Sequence, residues 1–443
     1  MMAVSRTEQK PDLSFPIDPV LLHFLEGCVG CGACETSCPY YYVDPHYAPV
    51  NKAESLRGIY RKKYTVAGFL VGPLVGGWTP KKEKDWEELL DMAYHCNNCG
   101  HCYTTCTQGI DSGRMLQIVR YILNKNGRTP KYLRDVIDLE VSGAYIREGP
   151  FVNEWKSFLA EAQEADPNLQ VGKKGAKVLL GLSMFDVLFA RDAAVSAVKI
   201  LAKAGEDYTL PERPLGLRPP LGMVAGDFAS AASVIHEVFN YVESLGSKTL
   251  ALIDGGFSFP NMRFESTNLT RRIPGFEIKH FVELLAEYVK TGKVKVKKTD
   301  EEVTYHDPCQ LARRSGIIEE PRVVIKAMTE HFKEAKHHGI DTLCVGGAGT
   351  LGCMTRQMYE TLYKLNGKSL DSLDEPAKGM FDRLEKDGLV ALKRRVDDLA
   401  KANVKKVLTL CPVAEALIRE GSSIYGKEML AENLIVYVAR NLE

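Results

Sequence analysis

The spacing of apolar residues divides the 443-residue chain into a helical amino-terminal part and an alternating carboxy-terminal part. Residues 112–123 repeat apolar positions at the helical period and predict a helix that closes the first part. Residues 126–172 are polar and mixed, with Trp155 and Phe158 on one helical face, and predict a helical connector. From Lys174 onward, short apolar stretches alternate with amphipathic ones, which indicates parallel βα units.

The alternating part contains two similar series of elements. Strands are predicted at residues 178–182, 221–225, 249–253, 303–306, 341–343 and 404–410. Two similar segments, 277–285 and 433–441, close the two series. We therefore expect an internal duplication with its boundary near residue 300.

The apolar pattern also bears on membranes. No run of about eighteen apolar residues occurs, so the sequence predicts no transmembrane helix. Residues 1–19 are polar and punctuated by proline, without the apolar stretch of a signal peptide. The most apolar segment, 68–78, is too rich in Gly and Pro for a helix. We expect a loop packed on its own domain, and the alternative is a docking surface for a membrane or a partner subunit.

Length and charge restrict the function less. A chain of 443 residues is long enough for two or three domains with ample core. Lys plus Arg and Asp plus Glu number 57 each, so no net field attracts the chain to nucleic acid, and we expect no such partner.

Cysteine spacing is the strongest chemical signal. Eight of the twelve cysteines form two runs with the spacing C-x-x-C-x-x-C-x-x-x-C, namely Cys28, Cys31, Cys34 and Cys38, then Cys96, Cys99, Cys102 and Cys106. Bacterial-type ferredoxins use this double run to bind two 4Fe–4S clusters, and the fourth cysteine of each run ligates the other cluster. We therefore expect one cluster on Cys28, Cys31, Cys34 and Cys106, and a second on Cys96, Cys99, Cys102 and Cys38. Zinc, structural thiols and disulfides are the weaker alternatives.

Thiolate ligands must stay reduced, so the cysteines also predict a compartment. We expect a cytoplasmic protein, or one attached to the cytoplasmic face of a membrane through its partners.

The four remaining cysteines all lie after residue 300. Cys309, Cys344 and Cys411 each directly follow a predicted strand. The carboxyl ends of parallel strands meet at one edge of a sheet, so these three thiols are expected to converge there. Cys353 lies nearby in sequence as a fourth ligand or a resolving thiol. The alternative is that three buried cysteines simply happen to end strands.

Local sequence around these cysteines favours reactive thiols. Residues 307–309, Asp-Pro-Cys, are expected to be the N-cap, N1 and N2 positions of a helix, and Cys411 with Pro412 opens another. Such positions lower a thiol pKa. The glycine-rich stretch 346–349 after Cys344 allows close backbone approach to a cluster or a phosphate. A nucleotide site is disfavoured because no Lys-Ser/Thr pair follows it.

Together, the double cysteine run, the segment Tyr-His-Asp-Pro-Cys at 305–309, the Cys-plus-glycine loop and the Cys-Pro helix start resemble the cysteine-rich, CCG-type iron–sulfur oxidoreductases. That family includes the D subunit of heterodisulfide reductase, which fuses the B and C counterparts, and the K subunit of the sulfite-reductase-associated membrane complex. It also includes the iron–sulfur subunits of glycolate oxidase and anaerobic glycerol-3-phosphate dehydrogenase. The resemblance runs from about residue 20 to the end.

The resemblance implies roles for the later cysteines. A complete repeat of the family places a Cys, a Cys-Cys pair and a Cys-x-x-Cys around an unusual cluster that cleaves a disulfide or relays electrons. Cys309 matches the first ligand, Cys344 the first of the pair, and Cys411 the first of the final motif. Val345 and Ala414 stand where second cysteines belong. Three thiols, or four with Cys353, suit an ordinary third iron–sulfur cluster.

The first series has no cysteine, so it is expected to be a scaffold or an interface. Ser183, Asp227 and Gly255 lie near its strand ends. In the second series, His306 and Arg313 either tune a cluster at Cys309 or bind a substrate anion, with a structural role as the alternative.

The predicted fold is α/β, with a helical two-cluster ferredoxin-like domain before duplicated parallel βα repeats. The expected domains are 1–125, a connector at 126–172, a cysteine-free repeat at 173–300 and a degenerate repeat at 301–443.

The resemblance implies an oxidoreductase subunit that passes electrons from a flavoprotein or membrane cytochrome to a thiol/disulfide or cluster site. Cys309, Cys344 and Cys411 are the catalytic candidates in that site. The alternatives are the iron–sulfur subunit of a flavin-dependent hydroxyacid or polyol dehydrogenase, a pure relay with a structural carboxy-terminal region, and a zinc-binding interaction module.

Overall fold

The computed structural model describes residues 10–213, 218–346 and 354–443. The amino-terminal part is helical, as predicted. Its helices are α1 (Pro19–Gly27), α2 (Pro49–Tyr64), α3 (Val66–Val71), α4 (Glu83–Tyr94), α5 (His101–Thr105) and α6 (Ser112–Lys125). A short 3-10 turn at Glu35–Ser37 lies within the first cysteine run, two more follow the run at Pro39–Tyr42 and Pro45–Tyr47, and another follows α3 at Gly72–Val75. The connector is also helical, with α7 (Lys131–Ser142), α8 (Ala144–Arg147) and α9 (Pro150–Ala165).

The first carboxy-terminal half contains a four-stranded parallel sheet in the order β2-β1-β3-β4. Its strands are β1 (Val178–Gly181), β2 (Tyr208–Thr209), β3 (Thr249–Leu252) and β4 (Glu277–His280). Its helices are α10 (Met184–Phe189), α11 (Arg191–Lys203), α12 (Gly222–Ala225), α13 (Phe228–Leu245), α14 (Ser258–Pro260), α15 (Ser266–Thr270) and α16 (Phe281–Lys290), with a π turn at Asn261–Glu265. In register, Thr249 lies opposite both Val178 and Glu277.

The second half contains a three-stranded parallel sheet in the order β5-β6-β7. Its strands are β5 (Val303–Tyr305), β6 (Lys406–Thr409) and β7 (Leu430–Asn433). Its helices are α17 (Cys309–Ser315), α18 (Glu319–Met328), α19 (Arg356–Leu365), α20 (Glu375–Ala400), α21 (Pro412–Ile424) and α22 (Leu434–Arg440), with 3-10 turns at Gly339–Asp341 and Leu370–Ser372. In both halves the last strand leads directly into a helix, β4 into α16 and β7 into α22.

Four strand predictions are confirmed, because β1, β3, β5 and β6 lie within the predicted ranges. The strand predicted at 221–225 is wrong, since this segment forms α12. Two prolines, Pro219 and Pro220, precede it, and the amide of Asp227 donates to the Gly222 carbonyl at 2.8 Å, which closes a helical turn. The turn then packs its Gly226 against α6, where a Cβ would overlap the Tyr121 backbone.

The strand predicted at 341–343 is also wrong. Asp341 ends a 3-10 turn, and the next residues stay outside both sheets. Asp307 fixes the segment instead: its carboxylate accepts from the Gly339 amide at 2.8 Å and its carbonyl accepts from the Thr342 hydroxyl at 3.1 Å. β6 already pairs with β5 on one side and with β7 on the other, so the centre of the sheet has no place for residues 341–343.

The expectation of a packed loop at 68–78 is wrong as well. The segment is folded into the end of α3 and the following 3-10 turn, and several of its apolar side chains face solvent, with Leu74 86% exposed.

The carboxyl ends of the two sheets come together. Gly255 follows β3, and a Cβ there would lie 2.6 Å from Leu311 Cδ1 and 2.8 Å from the Leu410 carbonyl oxygen of the second half. Only a glycine permits this approach. One hydrophobic core extends from Leu13 to Val438, and a second, smaller one packs α20 and α21 against β6 and β7. Among the described residues, none of the helices combines the length and apolar character needed to cross a bilayer.

Candidate functional site

One group of thiols comes from both cysteine runs. Cys34 lies close enough to Cys28, Cys31 and Cys106 for their charges to act on it. We call Cys28, Cys31, Cys34 and Cys106 the outer thiol set, because Cys31 is exposed and its neighbours Val29 and Gly30 face solvent. Burial raises the pKa of Cys34 to about 11, and the three neighbouring thiols act in the same direction.

The other four thiols form the second group. Cys102 interacts electrostatically with Cys96, Cys99 and Cys38. We call Cys38, Cys96, Cys99 and Cys102 the inner thiol set, because helix α17 of the second half covers the loop of the second cysteine run. Both sets have the composition that the sequence predicts, with one cysteine exchanged between runs. Which of these residues ligate a cluster stays a prediction.

Backbone geometry lets each loop turn around its thiols. Gly32 and Gly100 have φ values of +77° each, in the left-handed region that favours glycine. Gly100 caps α5, and a Cβ there would approach Arg314 Nε to 3.0 Å. The loop therefore turns back on itself while lying against the second half.

The inner set has positive charge and amide donors around it. Lys52 is 1% exposed, and its ammonium donates to Cys38 Sγ at 3.5 Å and to the His95 carbonyl. Buried Arg120 donates to the Cys96 carbonyl at 2.5 Å. The backbone amide of Asn98 donates to Cys96 Sγ at 3.3 Å. Such donors stabilise negative charge on sulfur.

Burial raises the pKa of several inner thiols. The hydrogen bond to Cys344 contributes most to the raised pKa of Cys99, with burial next. For Cys102, burial contributes most, followed by the charge of Asp111. Without iron these groups hold their protons at neutral pH, so cluster binding must release protons.

Within the described ranges, no three His, Cys, Asp or Glu side chains lie close enough together to bind one metal ion. A polynuclear cluster places its ligands on different iron atoms and needs a wider arrangement than a single ion does. Four thiols around one volume, with glycine at the turns, fit such a cluster.

The carboxy-terminal cysteines adjoin the inner set. Cys344 is buried, and its sulfur forms hydrogen bonds with both Cys99 and Cys309. The Asn97 amide donates to the same sulfur at 3.1 Å. Cys344 thus connects a thiol of the second cysteine run with the first cysteine of the later constellation. The hydrogen bond to Cys309 contributes most to raising the pKa of Cys344 to about 12.

The predicted capping by Asp307 is wrong. Cys309 is the first residue of α17 and follows Pro308 at the cap, while Asp307 is 1% exposed and forms a bidentate ion pair with Arg322 at 2.8 and 2.9 Å. The Asp307 carboxylate pairs with the Arg322 guanidinium and is therefore not available to cap α17. Asp307 therefore supports the chain beside Cys309 rather than activating the thiol.

Cys411 opens α21 together with Pro412, as predicted. The predicted lowering of its pKa is wrong, because burial raises it to about 12 and the charge of Asp254 adds to the effect. The amides of Val413 and Ala414 act in the opposite direction but are outweighed. Cys411 also interacts electrostatically with Cys344, so the three later cysteines do converge.

Cys411 lines a cavity of about 50 Å³ between the two sheets. The wall is mostly apolar, with Phe185, Phe189 and Met358, and it includes two carboxyls. Asp254 accepts from the amides of residues 256–258. Burial, and then the charge of Asp254, raise the pKa of Asp186 to about 7.

The other predicted residues have structural partners. His306 is 2% exposed and its Nδ1 accepts from Arg395 at 2.9 Å; burial and then that guanidinium keep its pKa well below the usual value. Arg313 donates to the Cys99 carbonyl at 2.8 Å and fastens the inner loop. Ser183 caps α10, and Asp227 caps α13. Cys353 and most of the glycine-rich stretch lie outside the described residues.

Sequence reasoning missed Lys52, Asn97 and Asp254. Lys52 carried a usable signal, because it lies on the apolar stripe of α2 with Ala53 and Leu56. A lysine in such a stripe is buried only when something at the site compensates its charge. Asn97 and Asp254 carried no comparable signal, since their roles depend on contacts across the fold.

Comparison with known proteins agrees with this geometry. A family model described as a 4Fe–4S dicluster domain matches residues 24–110, which contain both cysteine runs. The chain is therefore an iron–sulfur protein of the 4Fe–4S type.

Several known proteins are similar over most of the chain. Iron–sulfur subunit 2 of an Hdr-like menaquinol oxidoreductase from Archaeoglobus fulgidus is 27% identical over 384 residues, covering 74% of this chain and 67% of that protein. The D subunit of the dihydromethanophenazine:CoB–CoM heterodisulfide reductase from Methanosarcina acetivorans is 25% identical over 438 residues, covering 96% and 95%. An EtfAB:quinone oxidoreductase from Syntrophomonas wolfei is 23% identical over 447 residues, covering 90% and 55%. The chain is therefore similar, over most of its length, to the D subunit of heterodisulfide reductase and to an Hdr-like iron–sulfur subunit.

Proposed function

We propose that this chain is the electron-transferring iron–sulfur subunit of a heterodisulfide-reductase-like oxidoreductase complex. The observation that supports it most is the position of Cys344, whose sulfur contacts both Cys99 of the inner set and Cys309. Electrons entering at the exposed outer set would pass through the inner set and reach the later cysteines by contact.

We assign one 4Fe–4S cluster to the outer thiol set and one to the inner thiol set. Such clusters accept and release single electrons at potentials set by burial and by hydrogen bonds to sulfur. The chain supplies the thiolates, and Lys52 and Arg120 supply positive charge beside the inner set. Arg313 holds the loop that carries Cys99 against the second half.

At the carboxy-terminal site we propose either thiol/disulfide chemistry or a third cluster, on Cys309, Cys344 and Cys411. Reduction of a disulfide takes two electrons and two protons and yields two thiols. Asp186, on the wall of the cavity beside Cys411, is a carboxyl that can carry a proton near neutral pH. Val345 and Ala414 leave this site short of the five-cysteine arrangement. A pure relay with a structural carboxy-terminal region is the alternative.

We also propose that the two carboxy-terminal halves arose by duplication near residue 300, with domains at 1–125, 126–172, 173–300 and 301–443. Sheet topology supports this. The order β1-β3-β4 matches β5-β6-β7, and the parallel bridge of Val303 to Phe332 occupies the edge that β2 occupies beside β1.

We infer a flavoprotein or a membrane cytochrome as the partner, on the cytoplasmic face of a membrane. The named activities of the relatives support this, since two of them act on quinols or quinones. The EtfAB:quinone oxidoreductase also supports the second candidate, the iron–sulfur partner of a flavin-dependent dehydrogenase.

Anaerobic purification of the native complex tests the proposal. We expect about eight irons and eight acid-labile sulfides per chain for two clusters, and about twelve for three. The variants Cys411→Ser and Cys344→Ser then distinguish catalysis from relay. If these cysteines are catalytic, each variant should lose turnover while it keeps the inner cluster. A colourless protein that contains zinc would contradict the proposal. If both variants are fully active and the protein contains only two clusters, the chain is a pure relay with a structural carboxy-terminal region.

A further inference from the structure

An apolar tip extends from the amino-terminal part at Val66–Val71 and Gly72–Val75. We call residues 66–75 the apolar tip. The most exposed side chains are Leu74 at 86%, Val66 at 77%, Phe69 at 74% and Leu70 at 71%. Isolated exposed apolar residues are ordinary on a protein surface, but a contiguous group marks an interaction site.

The apolar tip is a folded element with its apolar side chains directed outward. Thr65 caps α3 by accepting from the Gly68 amide at 3.0 Å, and its hydroxyl donates to the Arg61 carbonyl at 2.9 Å. A Cβ at Gly68 would overlap that same carbonyl oxygen. The helix therefore turns its glycine edge toward α2 and presents its large apolar residues to the outside.

The second half of the tip is fixed as well. The Gly77 amide donates to the Gly72 carbonyl at 2.8 Å, which closes the turn. Lys62 lies beneath the tip, with Nζ 3.3 Å from the Gly68 carbonyl and 3.5 Å from that of Phe69. A lysine thus lies directly beside the exposed apolar side chains.

Basic residues predominate in the sequence around the tip. Between Arg57 and Lys82 the chain has no Asp or Glu, whereas it has six cations, namely Arg57, Arg61, Lys62, Lys63, Lys81 and Lys82. Glu54 pairs with the two arginines, and Lys63 is exposed. Asp85 lies beside Lys81 and Lys82, whereas Lys62 and Lys63 have no carboxylate partner among the described residues. An apolar surface bordered by such lysines is complementary to an anionic lipid surface, where acyl chains lie beneath negative headgroups.

Size favours a lipid surface over a protein. A stable protein interface takes roughly 20–30 residues from each side, whereas the tip has about ten. Shallow insertion at the headgroup–acyl boundary needs only a few large apolar side chains and adjacent basic residues. We propose that the apolar tip inserts into the surface of an anionic lipid bilayer and attaches this chain to it directly.

Direct attachment would place the thiol sets close to the membrane. Lys52, which contacts Cys38, and Tyr64, beside the tip, lie on the same helix. They are twelve positions apart in the α-helix, or about 18 Å along its axis. With the tip inserted, the carboxyl end of α2 at Tyr64 would lie nearest the bilayer. Attachment through the tip requires neither a particular number of clusters nor chemistry at Cys411.

Vesicle flotation with the anaerobically purified full chain tests the proposal. We expect it to float with vesicles of phosphatidylcholine and phosphatidylglycerol, and far less with phosphatidylcholine alone. The triple variant Phe69→Ser/Leu70→Ser/Leu74→Ser should lose roughly tenfold or more of its partitioning, because it removes the inserted apolar surface. Lys63→Glu should weaken flotation mainly at low salt.

A matched control replaces exposed apolar residues elsewhere, in the variant Ile273→Ser/Ile424→Ser/Leu430→Ser, at sites 83%, 52% and 57% exposed. It should float like the wild type. Leu74→Trp gives an independent readout, because its fluorescence should shift to the blue and be quenched by brominated acyl chains. Iron content and circular dichroism verify that each variant is folded.

Three results would overturn the proposal. The first is a wild type that binds no vesicles, which would make a protein partner the occupant of the tip. The second is a tip variant that floats as well as the wild type. The third is an equal loss of flotation in the tip and control variants.

Discussion

The outer and inner thiol sets share one cysteine spacing but lie in different surroundings. Cys31 of the outer set is exposed and its loop faces solvent. The inner loop is covered by α17, where Gln310 and Arg314 donate to the Asn98 carbonyl and Arg313 donates to that of Cys99. One motif therefore produces an exposed thiol set and a covered thiol set beside Cys344, which our proposal treats as the entry and the exit for electrons. The surroundings of the two sets differ because α17 of the second half covers the inner loop, whereas the cysteine spacing is the same in both.

The largest expected effect tests the exchange of one cysteine between the runs. Cys38→Ser should remove the inner cluster, as Cys99→Ser does, and Cys106→Ser should remove the outer one, as Cys31→Ser does. Each variant should lose about half of its iron, because one of two clusters lacks a ligand. Iron assays and electron paramagnetic resonance (EPR) spectra identify the missing cluster. If Cys38→Ser gives the same spectrum as Cys31→Ser, each run holds its own cluster.

The next effect concerns how the inner loop is fastened. Asp111 is 3% exposed, pairs with Arg314 and caps α6. Asp111→Asn should lower the free energy of unfolding by about 1.5–3 kcal/mol, because it removes a charged hydrogen-bond partner from the half-buried Arg314 guanidinium. Asp138→Asn is the control, since the Asp138 pair with Arg134 is 63% exposed on the carboxylate side and should contribute less than about 1 kcal/mol. Anaerobic denaturation measures both, and equal values would contradict the prediction.

The same pair predicts a pH dependence. Burial acts to raise the pKa of Asp111, but the Arg314 guanidinium outweighs it and lowers the pKa overall. The stabilisation is therefore complete above the unfolded pKa of about 3.9 and is lost as the pH falls through the lower folded value. Asp111→Asn should flatten this acid limb of the stability profile.

A smaller effect should distinguish the potentials of the two sets. Lys52→Met removes the ammonium beside Cys38 and should make the midpoint potential of the inner cluster more negative by tens of millivolts. About 59 mV corresponds to a tenfold change for a one-electron couple. Lys63→Met, at the exposed end of the same helix, is the control. An EPR redox titration measures both midpoint potentials. A shift in the potential of the outer cluster, with none in the inner cluster, would refute the assignment of Cys38 and Lys52 to the inner cluster.

The smallest effect is kinetic. An iron chelator should remove the outer half of the iron several times faster than the inner half, because the outer loop is the more open to solvent, with Cys31 exposed. The time course should have two phases of equal amplitude. Arg314→Ala should accelerate only the slow phase, since it frees the inner loop. A single phase in the wild type would mean that the two surroundings do not differ in access.

Much of this arrangement could be predicted from the sequence, because cysteine spacing and short apolar runs are local signals. Both cysteine runs, the helix at 112–123 and four strands were predictable for that reason. The contact of Cys344 with Cys99 was not, since it joins residues 245 positions apart through the packing of two domains. The predictions for residues 68–78 and for Asp307 failed for the opposite reason. Their local patterns indicate a packed loop and a helix cap, but neighbouring elements determine that the first stays uncovered and the second pairs with Arg322.

The EPR spectrum of the reduced, anaerobically prepared chain tests the central claim most directly. Two reduced 4Fe–4S clusters in adjacent thiol sets should give a broadened spectrum from magnetic interaction. That spectrum should become a simple single-cluster signal in either Cys31→Ser or Cys99→Ser. A wild type with one isolated signal, or with none and no acid-labile sulfide, would contradict the account of a two-cluster electron path.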